Sequence, residues 1–286
     1  MEHQEFYYEL SLPYSRLVSY LQDKYGMANG NYFLTPACAS KNKRIMRSEE
    51  GLFCHHVKED VEGDLSKQLV AKQAPYEWQC SKNLVYCNYL EHLILHVKIG
   101  VIQTTRRLSK PINLLSLLTQ GASYICNYVN DLFMVPYENL STLQKNYFNP
   151  IQDNYNDYLF LLRLIMYYTI HKYSGADKTE IESDGTVEAE GMKYRVQRNK
   201  RYEMGFRDTN DRIITVDFFG KQQPERLVYL HWLNELRKGL SAMSVSKNEN
   251  GCSDQIYKEL LQIPESKSLT QYAELLDQDF QGYKDD

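Results

Sequence analysis

Four of the chain's seven histidines fall between residues 55 and 96, in the order His55, His56, His92 and His96, with Asn83 between the two pairs. His92 and His96 lie four apart in Tyr89-Leu-Glu-His-Leu-Ile-Leu-His96. On a helix, residues i and i+4 stack along one face, so both imidazoles would point the same way and form a two-toothed claw for a metal ion. One ring of the upstream pair completes a three-nitrogen set, which leaves an open position for water or substrate. The other ring, neutral near pH 7, can take a proton. The pattern is not that of the zinc proteases, because Leu93 follows His92 and no glutamate stands there as a base.

The elements around these residues must place them. Gly51-Leu-Phe-Cys-His-His-Val57 reads as a short strand and Asn83-Leu-Val-Tyr-Cys87 as a second. Between them lies a long insertion that begins acidic, with Glu59, Asp60, Glu62 and Asp64, and carries Pro75 and Trp78. Asn88 is suited to cap a helix running to about Ile99, with Gly100 as its stop. Neighbouring residues on a strand face opposite ways, so a bend is expected at His55-His56 if one ring is to bind metal and the other to approach a substrate. Two strands followed by a helix would bring His55 beside His92 and His96. Asn83 would then stand next to His56, where its amide or backbone can orient the imidazole and fix its tautomer. On this reading the His56 ring faces an open cleft.

Residues 51–97 resemble the HNH, or ββα-metal (His-Me finger), nuclease motif, and above all its His-His variant in colicin-type DNases. There a His-His pair ends the first strand, an Asn opens the second, and two helix histidines follow the Asn by nine and thirteen residues; His92 and His96 stand at those distances from Asn83. The resemblance implies that His55, His92 and His96 are metal ligands, His56 the general base and Asn83 its orienter. It implies phosphodiester hydrolysis with one divalent ion that polarises a phosphate oxygen, leaving 5′-phosphate and 3′-hydroxyl ends. Mg²⁺ or Mn²⁺ serves the family, while three imidazoles also suit Zn²⁺, Ni²⁺ or Co²⁺. Two features depart from the toxin domains. The insertion between His56 and Asn83 is longer, and Phe53 stands where some toxins carry an acidic residue. The charge that holds the phosphate is expected from Lys43, Arg44 or Arg47.

Net charge is −4 and the isoelectric point about 6.0, so a partner nucleic acid must be met by local basic patches. Three exist: Lys41, Lys43, Arg44 and Arg47; Arg106, Arg107 and Lys110; and Lys193, Arg195, Arg198, Lys200 and Arg201. The first is the expected DNA-binding set. Six cysteines occur without a C-x-x-C pair, and the start Met-Glu-His-Gln-Glu-Phe has no signal-peptide pattern. A cytoplasmic chain with free thiols and no membrane span is expected, although Cys38, Cys54, Cys80 and Cys87 bracket the site and could gather a structural zinc.

The fold class expected is α+β. A ββα-metal nuclease core with an N-terminal helix over about 12–25 would occupy 1–110. A mainly helical region with a small antiparallel β/α part, conferring specificity or interaction, would occupy 111–286. Helices are expected at 111–133 and 157–173, strands over 186–219, and a helix from Pro224 through Leu240. Two short helices would close the tail. His171 and His231, each alone in an apolar helix, read as packing residues. DNA is the expected partner, with RNA the weaker option, and a homodimer would let a single-strand cutter break both strands. A restriction or defence nuclease is the leading expectation. A homing or mobile-element nuclease, or a non-catalytic metal-stabilised DNA-binding or interaction module, are the alternatives.

Overall fold

The structure is a computed structural model that describes residues 1–106, 120–175 and 267–281, together with four strand segments between 185 and 217. It is α+β, with a two-stranded antiparallel sheet, a separate four-stranded antiparallel sheet and eight α-helices among the described residues.

Two helices open the chain where one was expected: α1 (His3–Ser11) and α2 (Tyr14–Tyr25). Pro13 divides them, since its fixed φ and missing N–H suit the start of a helix and not its interior. Phe6 and Leu10 of α1 and Leu17, Val18 and Leu21 of α2 are buried. Strand β1 (Phe53–His56) pairs antiparallel with β2 (Leu84–Cys87), so that Phe53 faces Cys87 and His56 faces Leu84. The intervening insertion is structured by a 3₁₀ turn at Val57–Asp60, the short helix α3 (Gln68–Ala71) and a second 3₁₀ turn at Tyr76–Gln79. A small apolar cluster of Tyr32, Phe33, Ile45, Leu52, Leu84 and Tyr86 sits beneath it.

Helix α4 (Tyr89–Arg106) is the centre of the main core. Its start is a reciprocal cap. Asn88 Oδ1 accepts the backbone N–H groups of Leu90 (2.9 Å) and Glu91 (3.1 Å), and Glu91 Oε2 accepts the N–H of Asn88 (2.7 Å). The helix does not stop at Gly100. A glycine inside a helix costs about 1 kcal/mol, whereas burying Val101 and Ile102 beyond it returns about 1.5–3 kcal/mol each. Helices α5 (Gln120–Met134), α6 (Thr142–Phe148), α7 (Tyr155–Gly175) and α8 (Lys267–Gln281) follow. Of these, α5, α7 and α8 contribute Val129, Leu162 and Leu269 to the same core as α4.

The expected helices at 111–133 and 157–173 correspond to α5, from residue 120 onward, and α7. The expected 186–219 strands are β3 (Gly185–Ala189), β4 (Met192–Arg198), β5 (Glu203–Arg207) and β6 (Ile213–Asp217), paired in chain order. The expected boundary near 110, the helix at 224–240, the start of the tail and His231 lie outside the described residues.

Candidate metal centre

Strand alternation separates the histidine pair. His55 points from β1 to α4, and His56 points to the other side, where its ring packs against Tyr32 at 4.3 Å. The expected bend is absent, since His56 keeps an extended backbone (φ −89°, ψ 120°) and the chain turns only after it.

His55, His92 and His96 converge. The ring centroids of His55 lie 5.1 Å from both helix imidazoles, and those two are 4.8 Å apart. One nitrogen from each falls within 4.8 Å of the others, so this group could hold a metal ion. The Nε2 atoms of His92 and His96 are 3.2 Å apart. Two nitrogens bound to one tetrahedral ion at about 2.0–2.1 Å would be separated by about 3.3 Å, so the spacing fits a shared cation. With His92 Nε2 turned to His96, the His92 Nδ1 on the far side of the ring is buried without a hydrogen-bond partner, as is His55 Nε2, a state that costs about 1–3 kcal/mol apiece. Burial lowers the basicity of all three rings, and mutual repulsion adds to it for His55 and His92. His55 and His92 are held well below the ordinary histidine value and His96 at about 4. They are therefore neutral at pH 7, the form that ligates metal.

Three features that the sequence did not reveal hold these rings. The first is Gly121 at the start of α5, which lies so close to His96 that a Cβ there would overlap its Nδ1 and Cε1. Phe53 is sandwiched between Tyr147 (4.4 Å, 14°) and His92 (5.4 Å, 25°), so the position of an acidic residue in the toxins is here an aromatic brace. The third is the Glu59 carboxylate, only 12% exposed. It stands 3.7 Å from His55 Nδ1, 3.6 Å from His96 Nε2 and 3.9 Å from His56 Nδ1. Burial, reinforced by Asp64, pushes its carboxyl up to about 7.

His56 differs from expectation in two respects. It is 1% exposed, not open to a cleft, because Tyr32 and the insertion cover it. Its ring partner is Gln79, at 2.8 Å from Nε2 to Oε1. The Gln79 amide nitrogen donates to the Leu65 carbonyl (3.3 Å), which turns Oε1 to the histidine and so assigns the proton to His56 Nε2. The Nδ1 lone pair is left facing Glu59. Asn83 does not perform the orienting; its amide donates to the Glu77 carbonyl (2.6 Å) and braces the turn ahead of β2. The long insertion explains the exchange, since it carries Gln79 back over β1. Burial lowers the His56 pKa to about 4 despite the Gln79 bond.

The basic residues divide. Lys43 and Arg44 are exposed. Lys41 is exposed too, with Nζ donating to Tyr32 Oη at 3.2 Å above His56. Arg47 is committed to structure: it pairs with Glu50, donates to the Tyr25 carbonyl (2.6 Å) and lies over the Tyr86 ring. It is therefore not a free phosphate contact. Cys38, Cys54, Cys80 and Cys87 are free thiols, and the group with metal-ligand geometry among the described residues is the histidine trio. No described helix is long and apolar enough to cross a membrane.

Comparisons of the chain with protein-family models, with curated proteins and with solved structures return no match.

Proposed function

We propose that this protein is a metal-dependent endonuclease of the His-Me finger type that hydrolyses phosphodiester bonds in DNA, acting in restriction or defence. One observation carries the proposal: a strand histidine and two helix histidines offer nitrogens within 4.8 Å of one another, with a fourth histidine beside them held in a single tautomer. The hairpin-then-helix order and the spacing from Asn83 supply the likeness to colicin-type DNases.

His55, His92 and His96 would hold one divalent ion, Mg²⁺ or Mn²⁺ by family likeness and Zn²⁺, Ni²⁺ or Co²⁺ by donor set. When bound, it supplies Lewis acidity at a phosphate oxygen and at the leaving 3′ oxygen. His56 Nδ1 accepts the proton of the attacking water, and Gln79 Oε1 keeps its hydrogen bond to Nε2–H as the ring becomes charged. Lys43 and Arg44 meet the polynucleotide backbone. Proton transfer at His56 requires the Glu59 carboxylate or the Tyr32 ring to give way, because Nδ1 is otherwise shielded. A homodimer would cut both strands.

The burial of His56 favours a second reading, in which it is a core histidine and the chain is a metal-stabilised DNA-binding or interaction module. A cleavage screen separates the two. Purified protein is incubated with Mg²⁺, Mn²⁺, Ni²⁺ or Zn²⁺ on plasmid, linear and single-stranded DNA and on RNA, and the ends are sequenced. The nuclease cuts DNA to 5′-phosphate and 3′-hydroxyl ends. His56→Ala lowers cleavage about 100- to 10,000-fold with metal binding retained, and His92→Ala loses both. Intact substrates under every metal sink the enzyme and leave the module.

A further inference from the structure

The Glu59 side chain has no assigned partner in the proposed chemistry, yet its carboxylate stands within 4 Å of nitrogens from three histidines. Its Oε2 lies 3.7 Å from His55 Nδ1 and 3.6 Å from His96 Nε2, close to the 3.2 Å that separates the Nε2 atoms of His92 and His96. Donor atoms around one small cation bound at about 2.0–2.2 Å lie roughly 3.3–3.6 Å apart. The His96 separation meets that limit and the His55 separation falls just beyond it, while the set of atoms already within 4.8 Å of one another is the three histidines, so the carboxylate stands at the edge of the site. No lysine or arginine among the described residues forms an ion pair with this carboxylate; its near neighbours are imidazoles, and Lys67 pairs with Asp64.

Its position is also built. The Glu59 carbonyl accepts a hydrogen bond from Gln103 Nε2 on α4 (3.0 Å), which ties the 3₁₀ turn to the helix carrying His92 and His96. A nearly buried carboxylate whose nearest polar neighbours are imidazole nitrogens is suited to a cation placed between them.

We infer that Glu59 is the fourth protein ligand of the metal centre, making it a three-imidazole, one-carboxylate site. The inference rests on the metal-binding part of the proposed function and not on cleavage. An oxygen anion also widens the range of ions held, favouring Mn²⁺ beyond what imidazoles alone provide.

The test is metal binding to the full chain. Zn²⁺ and Mn²⁺ affinities are measured by calorimetry, and the Co²⁺ visible spectrum is recorded, for wild type, Glu59→Gln and Glu59→Asp. Circular dichroism of the metal-free proteins checks the fold. Removing the charge in Glu59→Gln weakens Zn²⁺ binding at least ~10-fold, weakens Mn²⁺ binding further and shifts the Co²⁺ bands. Glu59→Asp keeps the charge but withdraws the oxygen, and it weakens binding even if the Gln variant does not fold. Affinities and spectrum unchanged in a folded variant overturn the inference, as does a wild-type chain that binds none of the three ions. Metal binding that depends on Glu59 in a protein that cuts no nucleic acid overturns the nuclease and leaves this ligand standing. Cleavage whose metal dependence ignores Glu59 does the reverse.

Discussion

Gly121 shows how narrowly the metal centre is specified at the level of single atoms. The His96 ring lies where the Cβ of any other residue would be, so α5 reaches the imidazole only because residue 121 has no side chain. Gly121→Ala forces either the ring or the start of α5 to move. The expected outcome is a loss of about 1–3 kcal/mol in stability by chemical denaturation, with weaker Zn²⁺ binding in the same protein. Unaltered stability and affinity would show that the helix gives way freely. Phe53 acts on His92 by stacking, and Gln79 acts on His56 by its hydrogen bond. Each ring of the histidine cluster is thus held by a contact from outside its own strand or helix.

At the scale of elements, α4 does most of the positioning, since it presents two of the three imidazoles one turn apart and also anchors Glu59 through Gln103. Its first turn is fixed by the mutual cap of Asn88 and Glu91, both buried. Asn88→Ala removes an acceptor from two backbone N–H groups inside the protein. The expected cost is about 1–2 kcal/mol in a urea titration. Metal affinity should fall with it, because His92 lies within the second turn. The β1–β2 register matters equally: a slip of one residue would turn His56 to α4 and His55 to Tyr32.

For the whole molecule, buried titratable groups set the pH range of stability. Burial depresses His56 and His96 to about 4, and His55 and His92 lie well below their ordinary value. Between about pH 4 and 6.5 the unfolded chain binds protons there that the folded chain refuses. Stability conferred by these groups is therefore present above 6.5 and lost as pH falls, by up to about 1.4 kcal/mol per pH unit for each group. Glu9 and Glu59 work in the opposite sense. Burial raises them to about 8 and about 7, so the folded chain keeps protons that the unfolded chain releases above 4.5, and their contribution is lost as pH rises through those values. Four imidazoles outweigh two carboxyls in the acid range, and only the carboxyls remain above 6.5. The melting temperature of the metal-free protein should pass through a maximum near pH 6–7. A monotonic rise to pH 8.5 would contradict this account.

Sequence alone determined what is local. The i, i+4 spacing of His92 and His96, the cap at Asn88, two short strands and the divergence of His55 from His56 all follow from helix and strand periodicity. Those regularities act over a few residues and need no knowledge of the remainder. Tertiary structure decided the rest. It chose Gln79 over Asn83 as the partner of His56, buried His56 under Tyr32, brought Gly121 against His96, diverted Arg47 to Glu50 and Tyr25, and swung Glu59 back to the histidines. These contacts depend on how a long insertion and a helix from beyond residue 119 pack onto the hairpin. Such packing is governed by the burial of apolar surface across the whole chain, a non-directional force that leaves no fixed spacing in the sequence.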